Sequence, residues 1–337
     1  MEYQKKQLIT ISIPVFNEEE NIPRLIDKLQ ALSEVEKQYD FEFLFTDNDS
    51  TDRTFELLAE LSNQDDRIRV LKFSRNFGFQ KSILTNFLHA RGDAAIQLDA
   101  DLQDPPELIS EFLRNWESGY KVVYGVRKNR PESRILHSAR KIFYRAVTWL
   151  SETYVPPDAG DFRLIDRVII EQLRSVSDQT PYLRGLIASL GYPQKGIPYD
   201  RSARHYGNSK FGLFSLLELG LDGVTSQSTK PLRVITMFGF GICILTFFAV
   251  FMYLAFYFFG DSKISHGFTT LVILVLASIG INSFFLGLLG EYVGRVFNNS
   301  RGLPISIIEQ QIDHKVHEAA DVDQVGELEA NPIESNH

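Results

Sequence analysis

The chain holds one cysteine, Cys243, and two tryptophans, Trp116 and Trp149, and it has no excess of basic residues. A lone cysteine forms no intrachain disulfide and excludes zinc sites built on cysteine, which fits a reducing compartment. The 35 Lys and Arg against 43 Asp and Glu in 337 residues leave a formal charge of −8. Global basicity therefore gives no case for nucleic acid binding. The N-terminus, MEYQKKQLITISIPVFNEEE, lacks the apolar core and small-residue cleavage site of a signal peptide. No G-x-x-x-x-G-K-[ST] occurs, which excludes a P-loop, and no G-x-G-x-x-G follows the first apolar run, which excludes the dinucleotide fingerprint.

Charge is also missing from two long stretches, Val234–Phe259 and Phe268–Gly290. At ~1.5 Å rise per residue each is long enough to cross a ~30 Å hydrocarbon core. A pair of buried core helices is the alternative, but two such runs in tandem are rare in soluble domains. Lys230 and Arg233 precede the first run, and Arg295 and Arg301 follow the second. The positive-inside rule then puts both flanks and the N-terminal domain in the cytoplasm. Gly280, Gly287 and Gly290 suit close helix packing and a homo-oligomer, or reflect only glycine's frequency in membrane helices.

The rest of the chain alternates two periodicities. Leu8–Val15 reads as a first strand, and Ile22, Leu25, Ile26, Leu29 and Leu32 then recur at helical spacing. FEFLFT, IRVLKF, AAIQLD and KVVYGV read as further strands, separated by a helix from STDRTFELLAEL, which opens on a capping signature, and a helix near Gln80–Ala90. Asp104 reads as the cap of another helix, with Pro105 and Pro106 in its first turn. Such alternation predicts an α/β domain with a mainly parallel sheet covered on both faces. Ligands sit at the carboxyl ends of strands in such folds. All five strand ends here are polar: PVFNEEE, TDNDSTD, SRNFG, DADLQD and GVR.

The acids after the fourth strand carry the most chemical information. Asp99, Asp101 and Gln103 alternate, so on an extended segment they present oxygens to one side. With Asp104 close behind, Asp99 and Asp101 form a cluster of carboxylates that repel one another and need a positive partner. Hard divalent cations such as Mg²⁺ or Mn²⁺ take oxygen ligands, commonly one or two carboxylates plus substrate phosphates. At the first two strand ends, Pro14, Phe16, Glu18, Asp47 and Asn48 offer an aromatic with acid and amide groups, which suits a nucleobase and ribose. A nucleotide-sugar is favoured over ATP.

The segments IPVFNEEENI, DNDSTDRTF, SRNFG, DADLQDPPELI, YGVR, GDFRLIDR and RHYGNSKF resemble the family 2 glycosyltransferases that act on polyisoprenyl phosphates. The likeness is closest to bactoprenol (undecaprenyl-phosphate) glucosyltransferases, with dolichol-phosphate mannose synthases more distant, and it spans roughly residues 8–305. It implies a GT-A fold, a divalent metal, a nucleotide-diphosphate sugar donor and a lipid-phosphate acceptor. By resemblance, Pro14, Phe16, Glu18, Asp47, Asn48, Asp99, Ala100, Arg204 and Lys210 bind the nucleotide-sugar. Asp99, Asp101 and Gln103 hold the metal, and Asp161, Arg127 and Arg163 serve catalysis. Asn48 stands where the family carries a second acid, and Asp49 and Phe79 stand where glycine and lysine are common. Asp161 is expected to act as acid or base near the anomeric carbon, with orientation of Arg163 as its alternative role.

The resulting expectation is an inverting transferase that moves a hexose from a UDP-sugar to a polyisoprenyl phosphate at the cytoplasmic membrane face. Glucose is the expected sugar, with N-acetylhexosamine, galactose or mannose as alternatives. The expected organisation is a catalytic domain over 1–210, including a candidate interfacial helix at 133–152, and a juxtamembrane segment at 211–233. Spans at 234–259 and 268–290 follow, then a cytoplasmic tail at 291–337, acidic and disordered from about residue 313. A processive polysaccharide synthase is disfavoured because neither tryptophan sits in a Q-x-x-R-W context. A non-catalytic membrane scaffold would have no use for D-x-D-x-Q or for clustered arginines.

Overall fold

The structure is a computed structural model that describes residues 6–128, 159–176, 178–179, 181–201, 230–259 and 267–314. The chain divides into two compact units: 1–133 with 155–210 and 304–337, and 134–154 with 211–303. The candidate interfacial helix at 133–152 and most of the juxtamembrane segment lie outside the described residues.

The first unit is built on an eight-stranded sheet. Its elements in chain order are β1 (Gln7–Val15), α1 (Ile22–Val35), β2 (Tyr39–Asp47), α2 (Thr54–Ser62), β3 (Ile68–Phe73), α3 (Phe79–His89) and β4 (Ala94–Gln97). A 3-10 turn at Pro106–Leu108, α4 (Ile109–Glu117), β5 (Val122–Arg127), β6 (Ala159–Asp166), α5 (Arg167–Arg174), α6 (Leu183–Ser189), β7 (Gln194–Tyr199) and β8 (Ile308–Ile312) complete it. The strand order is β7-β5-β6-β4-β1-β2-β3-β8. The strands β4, β1, β2 and β3 run parallel. In contrast to a simple parallel series, β6 lies antiparallel between β4 and β5, and β8 closes the far edge antiparallel to β3. The sheet is therefore mixed.

Both faces are covered. On one face Ile9, Ile11 and Ile13 meet Ile22, Leu25, Ile26, Leu29 and Leu32 of α1 and Ile109, Phe112, Leu113 and Trp116 of α4. On the other, Ile83, Leu84 and Phe87 of α3 join Ile169, Ile170 and Leu173 of α5. Thr10 and Ser12, which alternate with these isoleucines on β1, are polar yet fully buried, and each finds a partner, as buried polar groups must. Thr10 Oγ1 donates to Glu42 at 2.6 Å and Ser12 Oγ donates to Gln97 at 2.8 Å. On β2, Thr46 bonds Asn86 of α3.

One local expectation is corrected. Asp104 does not cap a helix: the turn begins after Pro105 with no side-chain cap, and Asp104 is wholly buried among cations and a tyrosine. Before the expected disordered stretch, β8 ends at Ile312 and Asp313 is buried against Arg69 and Arg91. Residues beyond His314 lie outside the described residues.

The second unit contains α7 (Lys230–Phe259), a helix of 30 residues, and α8 (Phe268–Ser300), one of 33. Both run past the charge-free stretches. Over the described residues alone, no helix is long and apolar enough to cross a membrane. Several side chains within these helices, those of Cys243 and Ala249 among them, are outside that description. Their described apolar residues are widely exposed, including Phe238, Phe247, Phe251, Leu274 and Phe284.

Candidate active site

The strand order reverses about β1, which has β2 on one side and β4 on the other. At the carboxyl ends of these strands lies a cleft of about 320 Å³. Such a reversal is where α/β sheets open a crevice for ligands. The first strand contributes Pro14, Val15, Phe16 and Glu18, the second contributes Asn48, and the segment after β4 contributes Asp99, Ala100 and Asp101. The loop and helix after β3 add Asn76, Phe79 and Ser82. Phe16 and Phe79 remain 44% and 43% exposed, two large aromatic faces left open at the cleft.

The loops at the cleft hold each other in shape. Asn17 adopts a left-handed φ of 56°, and its Oδ1 accepts from Thr51 N at 2.8 Å. Asn48 has a structural duty. Its Nδ2 donates to Asn76 Oδ1 at 2.9 Å, and its Oδ1 accepts from Phe77 N at 2.8 Å. Asp47 is not among the lining residues; it is fully buried, with Oδ1 accepting from Ser50 N. Burial raises its pKa from the ordinary carboxylate value, and the Ser50 hydrogen bonds offset part of that rise. Its Oδ2 is buried with no hydrogen-bond partner.

The D-x-D-x-Q segment is not extended. The strand β4 stops at Gln97, Leu102 turns through a left-handed φ of 55°, and Gln103 N donates to Asp101 Oδ1 at 3.1 Å. Alternation therefore does not bring the three side chains to one side. Asp99 and Asp101 line the cleft, and Gln103 is not among its lining residues. Asp99 is crowded by acids. Burial raises its pKa to about 7, with Asp104, Asp161 and Asp101 adding to the rise and Arg201 opposing it. The Asp99 side chain is 22% exposed toward solvent. Among the described residues no three His, Cys, Asp or Glu side chains are grouped to hold a metal by themselves. The donor set fits a hard divalent cation that takes its other oxygens from a bound diphosphate: an acidic excess on Asp99 and Asp101, open to a cleft.

The cations come from β5, β6, the end of β7 and α6. Arg127 Nε donates to Tyr199 Oη at 3.3 Å, and its Nη2 lies 3.9 Å from Asp104 Oδ2. Arg201 Nε donates to Asp104 Oδ1 at 3.1 Å, and its Nη2 reaches within 3.8 Å of Asp99. On β6, Asp161 and Arg163 share a face, and Arg163 donates to Gly160 O at 2.8 Å. Arg184 of α6 binds Asp161 through two arms, at 2.9 and 2.8 Å. Burial alone would raise the Asp161 pKa, but Arg184, Arg163 and Gln80 together outweigh it, Arg184 most of all, and bring it down to about 2. Burial lowers Arg163 to about 10, so it stays protonated at neutral pH. Arg204 and Lys210 lie outside the described residues.

The sequence reading missed Asn76, Ser82, Arg184, Tyr199 and Arg201, and it placed Asp104 in the acidic cluster without the partners that hold it. Arg201 adjoins the basic RHYGNSKF segment, which offered a signal. PYLRGL, which holds Arg184, offered none.

A mixed α/β sheet with a nucleotide-sized cleft at its switch point and a D-x-D at its mouth defines a nucleotide-sugar transferase of the GT-A type. The comparisons agree. The profile described as Glycosyl transferase family 2 matches residues 10–174. A glycosyltransferase of Bacillus subtilis, YkcC, is 36% identical over 302 residues, covering 89% of this chain and 93% of its own. The Bactoprenol glucosyl transferase of Shigella phage SfV is 32% identical over 305 residues, covering 90% and 98%. Among solved structures, the mannosyl-3-phosphoglycerate synthase of Rubrobacter xylanophilus is 18% identical over 69% of this chain and 75% of its own, with a TM-score of 0.45. The chain belongs to glycosyltransferase family 2, and it is a glycosyltransferase.

Proposed function

We propose that this enzyme transfers a hexose, glucose in the first instance, from a UDP-sugar to a polyisoprenyl phosphate such as undecaprenyl phosphate, with inversion at the anomeric carbon. The observation that carries this reading is the acidic pair Asp99 and Asp101 opening on the switch-point cleft with Arg127, Arg163, Arg184 and Arg201 close by. The resemblance in name and sequence to the bactoprenol glucosyl transferase of Shigella phage SfV supports the acceptor class.

The donor diphosphate lies over Asp99, Ala100 and Asp101, with the nucleoside between Phe16, Glu18 and the β2 end. Asp99 and Asp101 would hold Mg²⁺ or Mn²⁺, which when bound neutralises the leaving diphosphate. The acceptor phosphate has a second pKa of ~6 and is mainly dianionic at neutral pH, so it is a nucleophile without a strong base. One of its oxygens forms a bond to the anomeric carbon as the bond from that carbon to the β-phosphate oxygen breaks, and UDP leaves. No proton has to move. The arginines bring this anion up to an anionic donor, and their planar forks suit phosphate oxygens. Asp161, held by Arg184 and ionised, suits the orientation of those cations better than proton transfer. Arg204 and Lys210 are proposed to close over the phosphates.

The helices α7 and α8 are proposed to form a membrane hairpin that anchors the catalytic unit on the cytoplasmic face. The support is the charge-free sequence, the 30- and 33-residue lengths and the exposed apolar side chains. Resistance to carbonate extraction from membranes tests it. For the reaction, membranes bearing the enzyme are given undecaprenyl phosphate and labelled UDP-glucose with Mn²⁺. Label extracted into organic solvent is expected. Label from another nucleotide-sugar alone would correct the sugar, and none from any donor would overturn the reading.

A further inference from the structure

Asp104 belongs to the acidic cluster around Asp99 but is not among the residues that line the cleft. It is fully buried, yet it does not cap a helix. Its Oδ1 accepts from the Tyr199 hydroxyl and from Arg201 Nε. Its Oδ2 has no hydrogen-bond partner and lies 3.9 Å from Arg127 Nη2. The Tyr199 hydroxyl is itself shared, accepting from Arg127 Nε at 3.3 Å. Thus one carboxylate in the turn after β4 gathers the arginine that ends β5 and the arginine that follows β7. An uncompensated buried charge is expensive, so the two cations and the hydroxyl are held to it as firmly as it is held to them. Arg201 also spans to Asp99, on the nucleotide side.

We infer that Asp104 is a positioning residue that fixes Arg127 toward the acceptor phosphate and Arg201 beside the donor diphosphate, so that both substrate sites are assembled on a single buried carboxylate. The acceptor half rests on the function proposed above. A relay through Tyr199 explains why a tyrosine hydroxyl is placed between a carboxylate and a guanidinium in an otherwise apolar wall formed by Phe162 and Phe112. Without Asp104, Arg127 would recover its rotamer freedom, and Arg201 would fall onto Asp99 and oppose cation and diphosphate binding.

The test uses the full chain in detergent. The KM for undecaprenyl phosphate, kcat, and the Kd of UDP with Mn²⁺ are measured for the wild type, Asp104→Asn, Arg127→Gln, the double variant and Tyr199→Phe. Asp104→Asn and Tyr199→Phe are each expected to raise the acceptor KM about tenfold while kcat changes less than about threefold, the scale of one charge-assisted hydrogen bond. In the Arg127→Gln background, Asp104→Asn is expected to add nothing to the acceptor KM, because the two act as a unit. Multiplying effects, or an unchanged KM, would overturn the inference. Should Asp104→Asn not fold, an unchanged KM in Tyr199→Phe overturns it equally. If the wild type transfers nothing to the lipid phosphate, the proposed function fails. The inference is then read through Arg201: weaker UDP–Mn²⁺ binding in Asp104→Asn sustains it and unchanged binding overturns it.

Discussion

Arg184 clamps Asp161 with both arms of its guanidinium, Nε on Oδ1 at 2.9 Å and Nη2 on Oδ2 at 2.8 Å. Bidentate pairing of this kind fixes orientation as well as charge. It occupies both carboxylate oxygens and leaves Asp161 with a pKa near 2, a poor proton acceptor.

If Asp161 serves by orienting cations, only its ionised form works, and it is ionised across the neutral range. The wild-type profile of kcat/KM is then expected to show no acidic limb from Asp161 above about pH 4. Removing the clamp by Arg184→Gln takes away the largest influence that lowers its pKa. The folded-state pKa rises, and activity falls at a higher pH than in the wild type. A profile of kcat/KM from pH 4 to 9 for both proteins reads this directly. An unshifted limb would detach Arg184 from Asp161's function.

Asp99 and Asp101 are expected to bind the divalent cation, and Asp101 lies at the turn where its Oδ1 is also held by Gln103 N. Chelation by EDTA should abolish transfer, and Mn²⁺ or Mg²⁺ should restore it. Asp101→Ala should lower kcat/KM by about 100-fold or more, with UDP affinity becoming insensitive to Mn²⁺. Gln103→Ala should cost far less, because Gln103 stands outside the cleft lining while its backbone N–H, which the substitution leaves in place, makes the contact to Asp101. Isothermal titration of UDP with and without Mn²⁺ separates the two.

Asp313 docks the strand that follows the second long helix. Arg69 Nε donates to it at 3.0 Å, and Arg69 also pairs with Glu42 and with His89 O. Arg91 completes the cluster. Burial would raise the Asp313 pKa, but Arg91 and Arg69 together hold it below the ordinary carboxylate value. Its stabilising effect is therefore fully present above the unfolded pKa of about 3.9 and is lost as pH falls through the folded value. Melting temperature should drop as pH falls below about 4, and Asp313→Asn should flatten part of that drop. At neutral pH the same substitution should cost about 3 kcal/mol, since it leaves Arg69 buried with one partner fewer. Circular dichroism melts at pH 3 to 7 provide the measurement.

Where the apolar spacing was unbroken, the fold could be read before the structure. The five positions from Ile22 to Leu32 are the buried face of α1, and the first four strands lie within a few residues of their expected limits. The strand β6 escaped because Asp161, Arg163 and Asp166 interrupt its pattern, and the two acids find their charged partners far along the chain, in Arg184 and Lys121. The strand β8, IEQQI, is too polar to read as a strand until β3 is beside it. The site divides the same way. Residues at strand ends could be found from strand positions alone, whereas Tyr199, Arg201 and Arg184 matter through contacts that no local spacing encodes. Asp104 illustrates the limit: its neighbours Pro105 and Pro106 make it look like a cap, while the groups that fix its role, Tyr199 and Arg201, are far along the chain.

Gly125 sits in β5, two residues before Arg127. A Cβ at this position would come within 2.6 Å of Tyr199 Cε1 and 3.4 Å of Phe162 Cδ1. The Tyr199 ring is already wedged edge-on against Phe162, with centroids 6.0 Å apart, so it cannot yield in that direction without moving the wall behind it. Gly125→Ala should therefore push the ring away from Phe162 and carry its hydroxyl off Asp104 and Arg127. Overpacking of this kind costs about 1–3 kcal/mol. The functional effect should exceed the loss of stability. At a temperature well below melting, the acceptor KM should rise as in Tyr199→Phe, while the affinity for UDP with Mn²⁺ stays close to wild type. Combining Gly125→Ala with Tyr199→Phe should add little to the KM, because the same hydroxyl is lost twice. A KM that rises in Gly125→Ala but climbs again in the double variant would mean that Gly125 matters through backbone geometry near Arg127 rather than through Tyr199.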